Sequence, residues 1–122
     1  MAIQMRRHGN SVILDIPRDM QFARRKAFPE AIAQGLALEP QWLLCDLRNL
    51  ADIDSSGLAM LLIAAEQCRK TPTRLGIICD NVKTSNYLRI ANLHTSVRFF
   101  SSETETDGIP AAAQESAQTP SA

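Results

Sequence analysis

Trp42-Leu43-Leu44-Cys45-Asp46-Leu47 is a nearly continuous apolar run within a segment, Trp42 to Leu50, that reads as a strand. A strand apolar on both faces belongs inside a sheet covered on both sides, usually with parallel neighbours. A second strand of this kind is Leu75 to Cys79, and between the two lies a helix-period run. From Ser55 to Lys70 the residues Leu58, Leu61, Leu62, Ala65 and Cys68 recur at steps of three and four. Arg69 and Lys70 close that helix favourably for its dipole, and Pro72 follows its end. Strand, helix, strand in this order demands a crossover connection, hence parallel strands.

The flanking segments extend the pattern. Ile3–Arg7 and Val12–Ile16 read as strands joined at Gly9-Asn10, an antiparallel hairpin. Asp19 is placed to cap a helix running to about Gln34, with Gly35 as its C-cap. Pro29 inside that run predicts a kink or two short pieces. A helix is expected over Val82–Asn92 and a last strand over Val97–Phe100. The order is ββαβαβαβ. The expected fold is α/β, one mainly parallel sheet with an initial antiparallel hairpin and helices packed against it. Residues 1–102 form the domain. From Glu103 the chain turns to Ser, Thr, Ala, Gln, Glu and Pro, a composition that predicts a disordered polar tail over 103–122.

Composition excludes several functions. All 13 Lys and Arg precede residue 103, against 9 of the 13 acidic residues, which leaves the body at +4 and the tail at −4. That charge is weak and scattered, without a basic stripe interleaved with aromatics, so no nucleic-acid partner is expected. No apolar run reaches membrane-spanning length, and the N-terminal residues lack a signal-peptide pattern. The expectation is a cytoplasmic protein with no membrane partner. Cys45, Cys68 and Cys79 fall in strand-like or core-facing positions and show neither CxxC nor Cys/His zinc spacing. Buried, reduced thiols are expected, with no metal and no cofactor. There is no GxSxG elbow, Walker A loop or GxGxxG. Asp15, Asp46, Asp52 and Asp54 read as strand-end and cap residues, and His8 and His94 as surface histidines.

What remains is Asp54-Ser55-Ser56-Gly57-Leu58, where strand gives way to helix. Serine at such a position caps a helix by accepting a bond from a free backbone N–H. The same place carries the positive end of the helix dipole and accommodates an added anion. Ser55 therefore reads either as a plain cap or as a point where phosphate is added and removed. A small serine hydrolase using Ser55 and His94 would need a third, orienting group.

The stretch from Leu43 to Leu58, with Asp46-Leu47 ending the strand and Asp54-Ser55-Ser56-Gly57-Leu58 opening the helix, closely resembles the signature of the STAS domain family. The resemblance continues through Leu75–Cys79, Tyr87–Leu93 and Val97–Phe100. As a stand-alone domain, the chain looks like the anti-sigma factor antagonists of bacterial partner-switching systems. The resemblance implies that Ser55 is the phosphorylated residue, with Asp54, Ser56 and Gly57 completing the motif. It also implies two partners: an anti-sigma factor that is itself a serine protein kinase, and a serine phosphatase that resets the switch. Binding would occur in the unphosphorylated state and release on phosphorylation, with no catalysis by the chain itself. A phosphate that controls an interface must lie within it, which puts Ile53, Leu58, Lys83 and Asn86 on the expected partner surface. The alternative within the same fold is a non-switching STAS subunit of a transport or signalling complex. The chain departs from the family where a final amphipathic helix is usual, and Asn92 stands where the third helix often ends in glycine.

Overall fold

A computed structural model of the chain describes residues 3–20, 26–53, 55–80, 86, 88, 89 and 97–107. Strands β1 (Gln4–His8) and β2 (Ser11–Asp15) form the hairpin. Their turn begins with Gly9 at φ 57°, a left-handed conformation that glycine adopts without steric cost. After β3 (Asp19–Met20) come α1 (Ala27–Leu36), β4 (Trp42–Asp46), β5 (Asp52–Ile53), α2 (Ser55–Arg69), β6 (Arg74–Ile78) and β7 (Arg98–Phe100). A short 3-10 turn, Glu103–Thr106, comes last. The main sheet has the order β1-β2-β4-β6-β7, with β1 antiparallel to β2 and the other pairs parallel. β3 and β5 pair separately as a small parallel sheet. The fold class expected from the sequence is the one observed.

Alternation along the strands divides the core in two. Val12, Leu14, Leu43, Cys45, Leu75 and Ile77 face α1 and α2, meeting Phe28, Ile32, Met60, Leu61, Ala64 and Cys68. Ile13, Trp42, Leu44, Ile78 and Phe100 form a second cluster on the opposite face. Trp42 and Phe100 meet there edge to face, with ring centroids 5.1 Å apart. Burial pushes the Cys45 thiol up, and the Cys68 thiol up to about 12. Neither is a thiolate near neutral pH, and none of the three cysteines forms a disulfide.

Several local expectations are corrected. Asp19 does not cap a helix: Asp19–Met20 is a strand, and α1 begins at Ala27. Pro29 lies in the first turn of α1, where its missing N–H has no intrahelical partner to lose, so Ala27–Leu36 forms one continuous helix. Gly35 lies inside the last turn rather than after it, because α1 runs on to Leu36 and Ala37 is the C-cap. On α2 the buried stripe is Gly57, Met60, Leu61, Ala64 and Cys68, while Leu62 is exposed. β4 ends at Asp46, not Leu50. Only Leu47 continues its ladder, through a bond from its N–H to the Ile78 carbonyl at 2.8 Å.

The chain after β7 also differs from expectation. Residues 103–107, which composition assigns to a disordered tail, turn back over the second face of the sheet. Glu103 is ion-paired, Thr106 is buried beside Ser11, and Asp107 bonds His8. The rest of that tail, 108–122, lies outside the described residues. So does most of the helix expected over 82–92, of which Asn86, Leu88 and Arg89 are described and helical.

Candidate functional site

The approach to the serine turn is built by hydrogen bonds around a loop. After β4, the Asp46 carboxylate accepts from the Arg48 backbone N–H at 3.0 Å and so starts a turn. Leu50 closes that turn by donating its N–H to the Leu47 carbonyl at 3.0 Å, and its side chain is buried. Ala51 donates to the Arg18 carbonyl at 2.7 Å. The next two residues, Asp52 and Ile53, are held in register against Asp19 and Met20. The chain is thus tied at successive points before α2 begins at Ser55.

Ser55 is exposed, Ser56 half-buried and Gly57 buried. The first turn of α2 therefore presents one hydroxyl outward while the glycine faces the core. Ile53 and Leu58 flank it, each half-buried and packed against the main cluster. The described part of that first turn carries no acidic residue. The N–H groups that open a helix, with the positive end of its dipole, favour an anion. Asn86 is exposed and helical. Asp54, Lys83 and His94 lie outside the described residues. The structure thus brings Ile53, Ser55, Ser56, Gly57 and Leu58 together on one short segment.

Sequence reasoning missed a second cluster at the same end of β4. The Arg48 side chain donates to Asp46 from Nε at 3.0 Å and from Nη2 at 2.7 Å, and reaches Glu103 Oε1 from Nη2 at 2.6 Å. Arg6 donates to Asp15 at 2.9 Å and to Asp46 at 3.0 Å, and lies 3.6 Å from Glu103. Burial favours a neutral Asp46, but the hydrogen bonds and charge of Arg48, helped by Arg6, outweigh it and hold the carboxyl below its ordinary range. Glu103 is likewise lowered: burial opposes ionisation, and its backbone hydrogen bond, Arg48 and Arg6 overcome that. An Asp ending each of two apolar strands, with Arg6 and Arg48 near them in sequence, was the available signal. Glu103 offered none, because only the folded chain brings it near.

The described residues hold no group of three or more His, Cys, Asp and Glu side chains able to bind a metal ion. No helix among them is long and apolar enough to cross a membrane. A groove of about 520 Å³ between α1 and α2 is lined by Ala33, Leu36, Ile63, Glu66, Gln67 and Lys70, with no serine, threonine, cysteine or histidine among them.

Solved structures with similar architecture exist at low sequence identity. A crystal structure of an anti-sigma factor antagonist from Mycobacterium paratuberculosis is 17% identical, with a TM-score of 0.74 over 85% of this chain and 88% of that one. A crystal structure of a candidate anti-sigma factor antagonist from Thermotoga maritima is 16% identical, with a TM-score of 0.72 over 85% of this chain and 90% of that one. The anti-sigma factor antagonist SpoIIAA in its unphosphorylated form is 11% identical, with a TM-score of 0.65 over 87% of this chain and 94% of that one. At these identities the likeness is one of fold. Comparison with curated protein sequences finds no match. A family profile described as STAS domain matches residues 2–106, spanning the sheet, the serine turn and the 3-10 turn after β7. The chain belongs to the STAS domain family.

Proposed function

We propose that this protein is a phosphorylation-controlled binding switch of the anti-sigma factor antagonist kind, acting in the bacterial cytoplasm by association rather than catalysis. Unphosphorylated, it binds an anti-sigma factor that is also a serine kinase. Phosphorylated on Ser55, it releases that partner, and a serine phosphatase restores it. The observation that carries this reading is the outward-facing Ser55 hydroxyl at the start of α2, between half-buried Ile53 and Leu58.

The energetics favour a switch of partners over a switch of fold. A phosphate on Ser55 adds about −1.5 to −2 charges near neutral pH. At the exposed helix start it gains about 0.3–1 kcal/mol from the dipole. Asp52 and Asp54 in the adjoining sequence oppose it by a similar amount, reduced by salt. Inside a closed interface the same charge loses its water and costs several kcal/mol unless a cation meets it. Ile53 and Leu58 supply apolar surface for such an interface, Asn86 extends it onto the following helical stretch, and Lys83, three residues earlier in sequence, is the remaining residue of the proposed partner surface. The Asp54, Ser56 and Gly57 positions of the motif complete the recognition segment.

The test is to incubate the purified chain with bacterial lysate and ATP and locate phosphate by mass spectrometry. The expected result is phosphate on Ser55, lost in Ser55→Ala. Persistent phosphorylation in Ser55→Ala that disappears in Ser56→Ala would move the site by one residue. A kinase retained equally by the unphosphorylated and fully phosphorylated protein would end the reading, leaving a non-switching STAS subunit.

A further inference from the structure

The segment 101–107 lies across the sheet face opposite the helices, and its fixed points are spread over β1, β2 and the loop after β4. Glu103 meets Arg48, in the loop that leads to the serine turn, and Arg6 on β1. Thr106 Oγ1 lies 3.4 Å from Ser11 Oγ at the start of β2 and donates to the Glu103 carbonyl at 2.7 Å. Asp107 Oδ1 is 2.9 Å from His8 Nε2 at the end of β1. The strap is therefore a built feature of the domain rather than a loose end.

Arg48 is the hub. Its Nη2 is shared between Asp46 and Glu103, its Nε returns to Asp46, and its backbone N–H completes the turn on the same carboxylate. A guanidinium fork with donors in one plane suits this shared geometry, whereas an ammonium acts as a point charge. Among the described residues, the loop that Arg48 anchors is also fixed before Ser55 by the Leu50 turn, the Ala51 bond and the β3–β5 pairing. Freeing Arg48 removes one restraint on the segment and leaves the Leu50 turn, the Ala51 bond and the two-residue β5 to hold it.

We propose that Arg48 is a positioning residue that couples the strap to the serine turn, so that displacement of residues 101–107 loosens the 47–53 loop and the start of α2. The strap is then a second control point on the site proposed above: a ligand or chain that draws Glu103 away from Arg48 changes how Ser55 is presented. This regulatory meaning rests on the proposed function, but the coupling itself does not require a partner.

The test is amide hydrogen exchange in the full chain, comparing the wild type with Glu103→Gln and Arg48→Met. Glu103→Gln keeps the shape of the side chain and removes its charge. It is expected to speed exchange in 47–53 and 55–58 by about fivefold or more, while amides in the centres of β2, β4 and β6 keep their rates. Arg48→Met is expected to accelerate the same residues further. Faster exchange confined to 101–107, with the loop unchanged in both variants, would overturn the coupling. So would a uniform acceleration across the sheet, which is the signature of general destabilisation. Neither result bears on whether Ser55 carries phosphate, so failure of the coupling and failure of the proposed function are separable.

Discussion

Asp46 is only 5% exposed, yet its carboxylate takes three hydrogen bonds from Arg48, one of them 2.7 Å long from Nη2. A buried charge is costly unless it is paired and hydrogen-bonded, and this one is. Asp46→Asn removes the charge and leaves two guanidinium groups with a neutral partner. The expected loss is about 1–3 kcal/mol of folding stability, read from chemical denaturation. An unchanged midpoint would mean that water replaces the ion pairs without cost.

Acid should weaken the fold through the same cluster. Asp46 and Glu103 have folded-state pKa values held below the ordinary 3.8 and 4.5. The unfolded chain therefore takes up protons first as pH falls. Their stabilising contribution is complete above those ordinary values and is lost as pH drops through the lower folded ones. Melting temperature measured from pH 6 down to about pH 3 should decline more steeply in the wild type than in Asp46→Asn.

Gly76 tests the packing of the second face. A Cβ there would lie 2.7 Å from Leu44 Cδ2 and 2.8 Å from Phe100 Cε2. Both neighbours are buried, so neither can yield without repacking the cluster around it. Gly76→Ala is expected to cost about 1–3 kcal/mol as overpacking. A neutral or stabilising result would show that the Trp42–Phe100 pair shifts freely.

Ser55→Ala should leave stability within about 0.5 kcal/mol, because the side chain is exposed. A larger loss would make Ser55 a structural residue and weaken its reading as a phosphate acceptor.

Two truncations separate the strap from residues 108–122. Removing everything after Asp107 keeps the partners of Arg48, Ser11 and His8, whereas removing everything after Ser102 takes them away. The shorter form is expected to melt several degrees lower than the longer one. Equal melting temperatures would mean that the contacts of residues 103–107 contribute nothing.

Much of the architecture was legible in the sequence. Trp42–Leu47 and Leu75–Cys79 are short runs with apolar residues at adjacent positions, a length and pattern that suit a strand covered on both faces. Gly9-Asn10 between two short strand patterns specified the hairpin. The serine turn was legible for the same reason: Asp-Ser-Ser-Gly at a change of hydrophobic period marks a helix start whatever surrounds it. These are local signals, carried by neighbouring residues through backbone preference and side-chain period.

The rest was decided by contacts between distant residues. Whether Asp19 capped a helix or joined a strand depended on Asp52, which it pairs with across the small sheet. Whether Leu62 or Met60 was buried on α2 depended on how that helix lies on β6 and α1, since both residues fit a helical stripe. The polar composition after Phe100 argues against a hydrophobic core and is correct in that respect. Residues 103–107 are held instead by ion pairs and hydrogen bonds to Arg6, Arg48, Ser11 and His8. Hydrophobic pattern cannot register such partners, because charge pairing has no sequence period and becomes favourable only where the fold brings the opposite charges together.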